Sequence, residues 1–260
     1  MQLNMIYNED CLDTMKRIPD GSVDLMLTDM PYGTTQNKWD ILPNITELWN
    51  EWERILKPTG VWIFSSVQPM ASKIILSREA LFKCEIIWDK IIPTGHLNAK
   101  IMPMRVHENI LIFSRGNNTF NPQMNKREAK ELRPNRTKNA VNNNVTYETK
   151  NYGAAKRGFN NENKYDEIYP KTIIGINNGN GWAKQNNIHP TQKPVDLMRY
   201  LILTYTNKGE TVFDGYMGSG TTAIAAIQEG RNYIGSELNN EYYKAAKKRI
   251  AILKAQKTIF

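Results

Sequence analysis

Three features of this sequence predict an α/β fold with a mainly parallel sheet. Short apolar runs typical of strands alternate with stretches that have helical spacing, which implies crossover connections. A glycine-rich turn from Asp214 to Thr222 follows one such run and precedes a helix. The length of 260 residues and the hydrophobic content of 40% suffice for one full-size domain with a small inserted module.

The first half of the chain predicts four strands, at 23–28, 61–64, 84–88 and 109–113. Apolar residues from Ile45 to Leu56 recur at helical spacing. That helix is expected to end near the breaker cluster Pro58-Thr59-Gly60, and a second helix is expected after Pro69.

Regular structure is expected again from His189 onward. Pro194 marks the start of a helix, and a strand at 211–214 precedes a small-residue helix at 220–228. A strand at 233–235 leads to Glu237, and apolar spacing from Tyr243 to Leu253 predicts the last helix.

The segment 116–188 has a different texture, with abundant asparagine and no sustained apolar periodicity. It carries 12 lysines and arginines against six acids, with interleaved tyrosines and Trp182. A long segment of this kind favours a functional insertion that contacts phosphates and bases. An insertion enriched in Asn and Lys without a recognition role is the alternative.

Charge and cysteine content narrow the class of protein. The formal net charge of +8 favours polyanionic partners, nucleic acid first. Cys11 and Cys84 are too few for a disulfide framework, so a reducing cytoplasm is expected. No apolar run approaches the ~20 residues of a membrane helix, and no membrane partner is expected.

The turn Asp29-Met30-Pro31-Tyr32 follows the first predicted strand. Ligands bind at the carboxyl ends of strands in open α/β sheets, so Asp29 should face the same edge as the glycine turn. The Asp29 carboxylate and the Met30 carbonyl would accept the hydrogens of an amino group, and Tyr32 would stack on a flat ring. The alternative is a structural turn in which Asp29 caps neighbouring N–H groups.

The glycine turn predicts a nucleoside-type cofactor. Gly218 and Gly220 permit positive φ and close backbone approach. Glu237 lies 17 residues beyond Gly220, about where an acid meets ribose hydroxyls in dinucleotide folds. NAD, a nucleotide and S-adenosylmethionine all fit this pattern, and close packing of helix on strand is the structural alternative. ATP hydrolysis is disfavoured because the turn lacks a GK[ST] ending.

Several motifs together resemble those of the β-class S-adenosylmethionine-dependent DNA amino-methyltransferases. Residues 29–32 resemble the DPPY motif, and 213–222 are similar to the cofactor motif DPFxGSGTT. Residues 189–194 match the HPTQKP segment, and 8–12 resemble a GDCL segment. The catalytic motif precedes the cofactor motif, which is the order of the β class, and the resemblance covers residues 4–115 and 189–255.

The resemblance implies a Rossmann-like methyltransferase fold, with a mostly parallel sheet, helices on both faces and a permuted motif order. The catalytic domain would comprise 1–115 and 189–260, and 116–188 would be a target-recognition insertion. The implied activity is site-specific methyl transfer from S-adenosylmethionine to adenine N6 in duplex DNA, after the base is flipped out.

The resemblance also implies roles for single residues. Asp29, Met30, Pro31 and Tyr32 would form the catalytic turn. Asp10 would reach the adenine end of the cofactor, and Lys193 its methionine end. The residues expected to bind the cofactor are Asp10, Cys11, Asp29, Lys193, Asp214, Tyr216, Gly218, Ser219, Gly220, Thr221, Thr222 and Glu237; no metal is expected.

Two departures from the family motifs are present. Met30 replaces the first proline of DPPY, which affects the rigidity of the turn more than its carbonyl. Gly215 and Tyr216 replace the Pro-Phe pair of the cofactor motif.

The sequence leaves alternative functions open and also predicts partners. The alternatives are cytosine-N4 methylation, methylation of RNA or of a protein amide, and an inactive DNA-binding relative. Duplex DNA is the expected partner; the family also allows a homodimer and a restriction endonuclease on a separate chain. A cytoplasmic protein, prokaryotic or phage-encoded, is implied.

Overall fold

The computed structural model describes residues 1–31, 44–126, 147–149, 153–155, 167–178 and 192–258. The chain divides into two compact units. One comprises residues 1–121 and 171–260, and the other comprises 122–170. Among the described helices, none combines the length and apolar character needed to cross a bilayer.

Strands are numbered in chain order. They are β1 (Met5–Tyr7), β2 (Val23–Thr28), β3 (Leu56–Ser66), β4 (Phe82–Thr94), β5 (Arg105–Ser114), β6 (Asn125–Lys126), β7 (Tyr147–Thr149), β8 (Gly153–Ala155), β9 (Glu167–Ile168), β10 (Ile173–Gly175), β11 (Thr211–Asp214) and β12 (Asn232–Ser236).

The larger unit is built on an eight-stranded sheet with the order β1-β12-β11-β2-β3-β5-β4-β10. All neighbouring pairs are parallel except the two that involve β5, which runs antiparallel between β3 and β4. The prediction of a mostly parallel sheet is therefore confirmed.

Six described helices cover the two faces of this sheet. They are α1 (Cys11–Lys16), α2 (Ile45–Ile55), α3 (Met70–Ser77), α4 (Val195–Tyr205), α5 (Thr221–Gln228) and α6 (Asn240–Thr258). Buried residues of α1, α2 and α3 form one core with one face of the sheet, and those of α4, α5 and α6 form the other. Alternate residues of a strand point to opposite faces, so Val212 and Phe213 of β11 enter different cores.

The core beneath α2 is rich in aromatic rings. Trp49 makes edge-to-face contacts with Trp52, Trp62, Phe64 and Phe113, at centroid separations from 5.2 to 5.7 Å. Such geometry adds to the burial of apolar area, because ring edges and faces carry opposite partial charges. This cluster fixes α2 against β3 and β5, and thereby supports the end of β2.

The predicted end of the helix that begins at Ile45 differs from the structure. Helix α2 ends at Ile55 and β3 begins at once with Leu56, whereas the sequence predicted a helix that continued toward Pro58. The pairing register of β2 with β3 shifts there, so that Val23 pairs with Leu56 and Leu25 with Val61. Proline is tolerated at such a bulge, since no ladder hydrogen bond is required of it.

Several short elements were not predicted from the sequence, among them β1, β10 and α1 of the larger unit. Strands β1 and β10 have three residues each and helix α1 has six, which is too short for a periodic pattern. Strand β10 lies within the segment 116–188, yet it pairs in parallel with β4 of the main sheet. Trp88 Nε1 also donates a hydrogen bond to the Ile176 carbonyl at 2.8 Å. The residues from 171 onward thus belong to the larger unit.

The smaller unit contains two antiparallel strand pairs among its described residues. Strand β6 pairs with β9, and β7 pairs with β8. This unit, 122–170, is shorter than the segment 116–188 that was assigned to target recognition, and that assignment stays a prediction.

The strand order reverses between β2 and β11. From β2 the chain proceeds through α2 to β3 on one side, and from β11 through α5 to β12 on the other. Crossovers that leave in opposite directions open a crevice beyond the carboxyl ends of the strands. This edge of the sheet, where β1, β2, β3, β4, β11 and β12 end, is called the carboxyl rim below.

Candidate active site

Three acidic residues stand at adjacent positions along the carboxyl rim. Asp29 follows β2, Asp214 is the last residue of β11, and Glu237 follows β12. The two loops that the sequence analysis placed at one edge, around Asp29 and Gly218, therefore do lie at the same edge. Three carboxylates so close together repel one another, and the surrounding groups must compensate for this.

Lys193 supplies part of that compensation. Its Nζ donates a hydrogen bond to Asp29 Oδ2 at 2.7 Å, across 164 residues of sequence. The Lys193 side chain is 9% exposed and that of Asp29 is 24% exposed, so the pair is largely withdrawn from water. The sequence analysis assigned Lys193 to the cofactor and did not predict this ion pair.

Two further charged residues extend the pair. Lys193 Nζ lies 3.3 Å from Glu108 Oε2, and Lys90 Nζ lies 3.4 Å from Glu108 Oε1. Lys90, Glu108, Lys193 and Asp29 thus alternate in sign and sum to zero. This set is called the buried charge chain below. It connects β4 and the first half of β5 with the turn that follows β2.

Sequence reasoning missed the roles of Lys90 and Glu108. Lys90 follows the apolar stretch of one predicted strand, whereas Glu108 precedes the apolar stretch of the next, which runs in the opposite direction, so both lie toward the carboxyl rim. A charged residue at that place, beside others of opposite sign on neighbouring strands, is a usable signal. It could not be used because the strand order was unknown.

The other residues of the Asp29 turn have different surroundings. The side chain of Met30 is 2% exposed and packs in the core formed with α1, α2 and α3. The methionine that replaces proline therefore contributes an apolar side chain to the core. Pro31 is partly buried. Tyr32 lies outside the described residues, as do residues 189–191 of the HPTQKP segment, so the role predicted for Tyr32 stays a prediction.

Glycine is required at positions 218 and 220 of the turn for different physical reasons. Gly218 (φ +53°) and Gly220 (φ +83°) both adopt left-handed backbone. A Cβ at Gly220 would lie 3.0 Å from the Ala246 Cβ of α6, so this glycine also permits close helix packing. A Cβ at Gly218 would meet nothing nearer than the Tyr216 carbonyl at 3.9 Å. Gly218 therefore has open space beside it, at the carboxyl rim.

Asp214 holds the glycine turn together. Its Oδ1 accepts from the Tyr216 N–H at 2.9 Å, and its Oδ2 accepts from Thr222 Oγ1 at 2.6 Å. Burial raises the pKa of the Asp214 carboxyl to about 7; the two hydrogen bonds oppose this rise, and the charges of Asp29 and Glu237 add to it. Asp214 thus holds the glycine turn in shape, although burial makes the charged form of its carboxyl unfavourable.

Ser219 joins the turn to two other segments. Its Oγ donates to Gln192 Oε1 at 2.9 Å, and Arg249 of α6 donates to its carbonyl at 2.5 Å and to its Oγ at 2.9 Å. Thr221 Oγ1 lies 3.4 Å from the same Oγ. The sequence analysis missed Gln192 and Arg249. Through them, the residue next to Lys193 is fixed to the glycine turn.

Glu237 and Asp10 follow β12 and β1, two strands that pair in parallel. Glu237 accepts from the Gly218 N–H and the Asn239 N–H, each at 2.8 Å, and burial raises the pKa of its carboxyl. Asp10 caps α1 by accepting from the Leu12 N–H at 2.8 Å. Both carboxylates are thereby oriented, and each oxygen can accept a second hydrogen bond.

Cys11 and Tyr216 pack together beneath this corner. Burial raises the pKa of the Cys11 thiol to about 11, so it remains a thiol at neutral pH. A Cβ at Gly215 would lie 3.0 Å from the Cys11 Cβ. The second departure from the family motif therefore has a reason: a residue without a side chain lets α1 approach the turn.

The rim also contains buried oxygens that lack partners. Thr28 Oγ1 and Ser65 Oγ, near the ends of β2 and β3, have no hydrogen-bond partner in the structure described, and Glu108 Oε2 contacts Lys193 only as an ion pair. Polar atoms without partners are costly inside a protein. A polar ligand at this edge, rich in amino and hydroxyl groups, fits such a set of acceptors.

The buried charge chain leads to a prediction about stability. Replacing Glu108→Gln leaves the Lys90 ammonium buried without its counter-charge, so the free energy of unfolding should fall by about 3 kcal/mol. The double variant Glu108→Gln with Lys90→Met should lose less than the sum of the two single changes, because Lys193 and Asp29 remain balanced. Urea unfolding at neutral pH measures these differences.

Asp13→Asn is the matched control for this experiment. Asp13 forms an exposed ion pair with Lys16 on α1, so its loss should cost less than about 1 kcal/mol. Strictly additive losses in the double variant would show that Lys90 and Glu108 do not form an energetic pair.

Asp214 leads to a prediction about pH. The unfolded chain releases this proton near the ordinary pKa of 3.8, whereas the folded protein retains it up to about 7. The folded state therefore binds more protons between these values, and the contribution of Asp214 to stability declines as the pH rises through 7. A shift of this size corresponds to roughly 4 kcal/mol.

The variant Asp214→Asn should remove this decline. Urea unfolding of both proteins from pH 5 to 8 should show the stability of the wild type falling relative to that of the variant. A constant difference across this range would mean that Asp214 is already ionised in the folded protein.

The comparisons with known proteins agree with this geometry. A family model described as DNA methylase, for N6 and N4 methyltransferases, matches residues 23–248. The type II methyltransferase M1.MboII of Moraxella bovis is 27% identical over 270 residues, which cover 95% of this chain and 96% of that protein. The DNA adenine methyltransferase YhdJ of Escherichia coli (strain K12) is 30% identical over 273 residues, which cover 95% and 82% respectively.

Solved structures share the fold. The crystal structure of the M1.HpyAVI–SAM complex superposes with a TM-score of 0.63 at 24% identity, over 95% of this chain and 98% of that one. The cytosine-N4-specific PvuII DNA methyltransferase superposes with a TM-score of 0.65 at 16% identity, over 94% and 85%. The fold inferred from the motifs is thereby confirmed. Because the family model spans most of its length, this chain belongs to the DNA methylase family of N6 and N4 methyltransferases.

Proposed function

We propose that this protein is a site-specific DNA methyltransferase that transfers a methyl group from S-adenosylmethionine to N6 of adenine in duplex DNA. The observation that carries the proposal is the position of Asp29. It lies at the point where the strand order reverses, anchored by Lys193 and one strand away from the glycine turn. Among the relatives, YhdJ is an adenine methyltransferase.

Asp29 is suited to hold an exocyclic amino group. A carboxylate can accept several hydrogen bonds, and the Lys193 ammonium donates one of them to Asp29. Lys193 fixes the orientation of the carboxylate before any base arrives, which is the kind of preorganisation on which electrostatic catalysis depends. An amino nitrogen whose hydrogens are gripped by acceptors has a more localised lone pair. Asp29 and the Met30 carbonyl are the proposed acceptors, with Tyr32 stacked on the base.

The residues around the glycine turn fit S-adenosylmethionine. Glu237 and Asp10 offer oriented acceptors for ribose hydroxyls and for the adenine amino group, and Gly218 has open space beside it. When bound, S-adenosylmethionine would supply an electrophilic methyl group carried on a positively charged sulfur. Transfer of that methyl group to the amino nitrogen of the base would leave S-adenosylhomocysteine and release one amino proton.

Cytosine-N4 methylation is the second candidate. The matching family model covers N6 and N4 enzymes, and the PvuII enzyme, which shares the fold, is cytosine-N4-specific. Both reactions present an amino group on a flat ring to the same acceptors. The acidic first residue of the catalytic turn favours adenine.

The finer assignments follow from the same proposal. The segment 116–188 is proposed to recognise the target sequence, on the basis of its basic and aromatic composition. A homodimer and a separate restriction endonuclease are proposed partners, since several relatives are type II methyltransferases. A prokaryotic or phage-encoded cytoplasmic protein agrees with its two free cysteines.

The first test identifies the product. The purified protein is incubated with unmethylated genomic DNA and S-adenosylmethionine labelled in its methyl group. Nucleosides are then separated by mass spectrometry, and modified positions are mapped by modification-sensitive sequencing. Labelled N6-methyl-2′-deoxyadenosine at one short sequence is expected. Labelled N4-methyl-2′-deoxycytidine alone would replace the adenine assignment, and the absence of any labelled nucleoside would refute the proposed function.

The second test concerns the catalytic turn. Asp29→Ala should lower methyl transfer by at least about 100-fold, because it removes the acceptor for the amino group. Lys193 retains Glu108 as a partner, so the fold should persist. The dissociation constant of S-adenosylmethionine, measured by calorimetry, should change by less than about threefold. Asp13→Ala, an exposed acid on α1, is the control and should retain wild-type activity. Full activity in Asp29→Ala would exclude Asp29 from catalysis.

A further inference from the structure

The connection between β4 and β5 exposes an unusual amount of apolar surface. Residues 91–104, called the rim hairpin below, are exposed throughout. Six of them are large and apolar: Ile91 (55% exposed), Ile92 (55%), Leu97 (87%), Ile101 (79%), Met102 (51%) and Met104 (37%). Apolar patches of this kind commonly mark interaction surfaces.

The rim hairpin has a definite backbone structure. Ile91 has a left-handed φ of +67°, which is costly for a β-branched residue, and Asp89 Oδ1 stabilises it by accepting from its N–H at 2.7 Å. At the tip, the Asn98 N–H donates to the Gly95 carbonyl and the Met102 N–H to the Asn98 carbonyl, each at 3.0 Å. The hairpin is thus held by its own backbone, and its apolar side chains are left to contact something else.

The base of the hairpin is anchored beside the catalytic carboxylate. Lys90 precedes the hairpin, and Glu108 follows shortly after it. Both belong to the buried charge chain, which reaches Asp29 through Lys193. The pairing of β4 with β5 shifts in register between Asp89 and Thr94, at the base of the hairpin. The hairpin therefore projects from the carboxyl rim, at the edge where a target base must arrive.

The charges around the hairpin favour a polyanion. Lys100 and Arg105 are cationic and exposed, and no aspartate or glutamate occurs from residue 90 to residue 107. A protein partner of matching shape would need acidic groups around an apolar socket. A second copy of this chain, with a net charge of +8, would bring like charges together. A narrow projection also offers little of the ~800 Å² that a stable dimer buries on each partner.

We propose that the rim hairpin inserts its apolar tip, Leu97 and Ile101, into the base stack of the substrate duplex beside the extruded adenine. Extruding a base breaks its stacking and leaves a gap in the duplex. Proteins that deform DNA insert apolar side chains between base steps, and so recover part of the cost of unstacking. Lys100 and Arg105 would contact the flanking phosphates. This inference rests on the proposed function, since it requires duplex DNA as substrate.

The test compares two substrates of one enzyme. The double variant Leu97→Ser with Ile101→Ser is assayed on a duplex that carries the mapped site, and on the same duplex with the target adenine mismatched. On paired DNA, kcat/KM should fall by about tenfold or more, because the unstacking cost is no longer offset. On the mismatched duplex, whose base is easier to extrude, the loss should shrink to less than about threefold.

Controls separate the hairpin from the fold and from the active site. Leu76→Ser replaces another exposed leucine, which is 73% exposed on α3, and should leave both rates unchanged. Thermal unfolding should show that the double variant remains folded. As a second measurement, a photoreactive benzophenone amino acid at position 97 should crosslink to bases next to the target.

The outcomes distinguish this inference from the proposed function. A wild type that methylates no DNA would remove both. An active wild type whose hairpin variant loses nothing, or loses equally on both duplexes, would refute base-stack insertion alone. Crosslinks only to another protein chain, or dissociation of a dimer in the double variant measured by sedimentation, would assign the hairpin to a second copy and also overturn the inference.

Discussion

The parallel pairing of β2 with β11 is the contact on which the active site depends. These strands are far apart in sequence, yet Leu25 pairs with Val212 and Met26 with Phe213 at the centre of the sheet. The buried Asp24 carboxylate strengthens the junction, because it accepts from the Thr211 N–H at 2.9 Å while Lys57 balances its charge. Since parallel strands end at the same edge, this pairing brings the Asp29 turn beside the glycine turn. The helices that follow leave in opposite directions, so the crevice opens between the two turns.

That junction brings several carboxylates together, and neighbouring cations and hydrogen-bond donors on the carboxyl rim compensate for their negative charge. Asp29 is neutralised by Lys193, and Lys193 is itself balanced through Glu108 by Lys90. Among the described residues, Asp214 is paired with no such cation; burial opposes its charge and raises its pKa to about 7, while hydrogen bonds from the turn support the charged form. Ion pairs of low exposure stabilise a fold little when complete, but they are costly to break. The buried charge chain therefore acts mainly by fixing where the catalytic carboxylate points.

The glycine turn is also held by contacts with side chains from other segments. Arg249 of α6 binds the carbonyl and hydroxyl of Ser219, and Ser219 binds Gln192, the neighbour of Lys193. The cofactor turn and the catalytic turn are thus connected by a short path of polar contacts, from Arg249 to Asp29. A motif of small residues supplies the backbone shape of the turn. The side chains that hold it in place come from segments outside the motif.

Sequence alone determined the fold class, the order of the main strands and helices, and the two motifs that flank the crevice, because apolar periodicity and glycine turns are local properties. It did not determine the three-residue strands β1 and β10, which are too short to show a period, nor the β3 bulge at Pro58, which depends on pairing with β2. It placed Lys193 near the cofactor, but it could not show that Lys193 pairs with Asp29, nor find Glu108, Lys90, Gln192 or Arg249. These residues meet only when the order of strands is known. Tertiary structure decided them because a buried charge takes its role from the opposite charges that the fold brings within reach, and sequence spacing does not contain that distance.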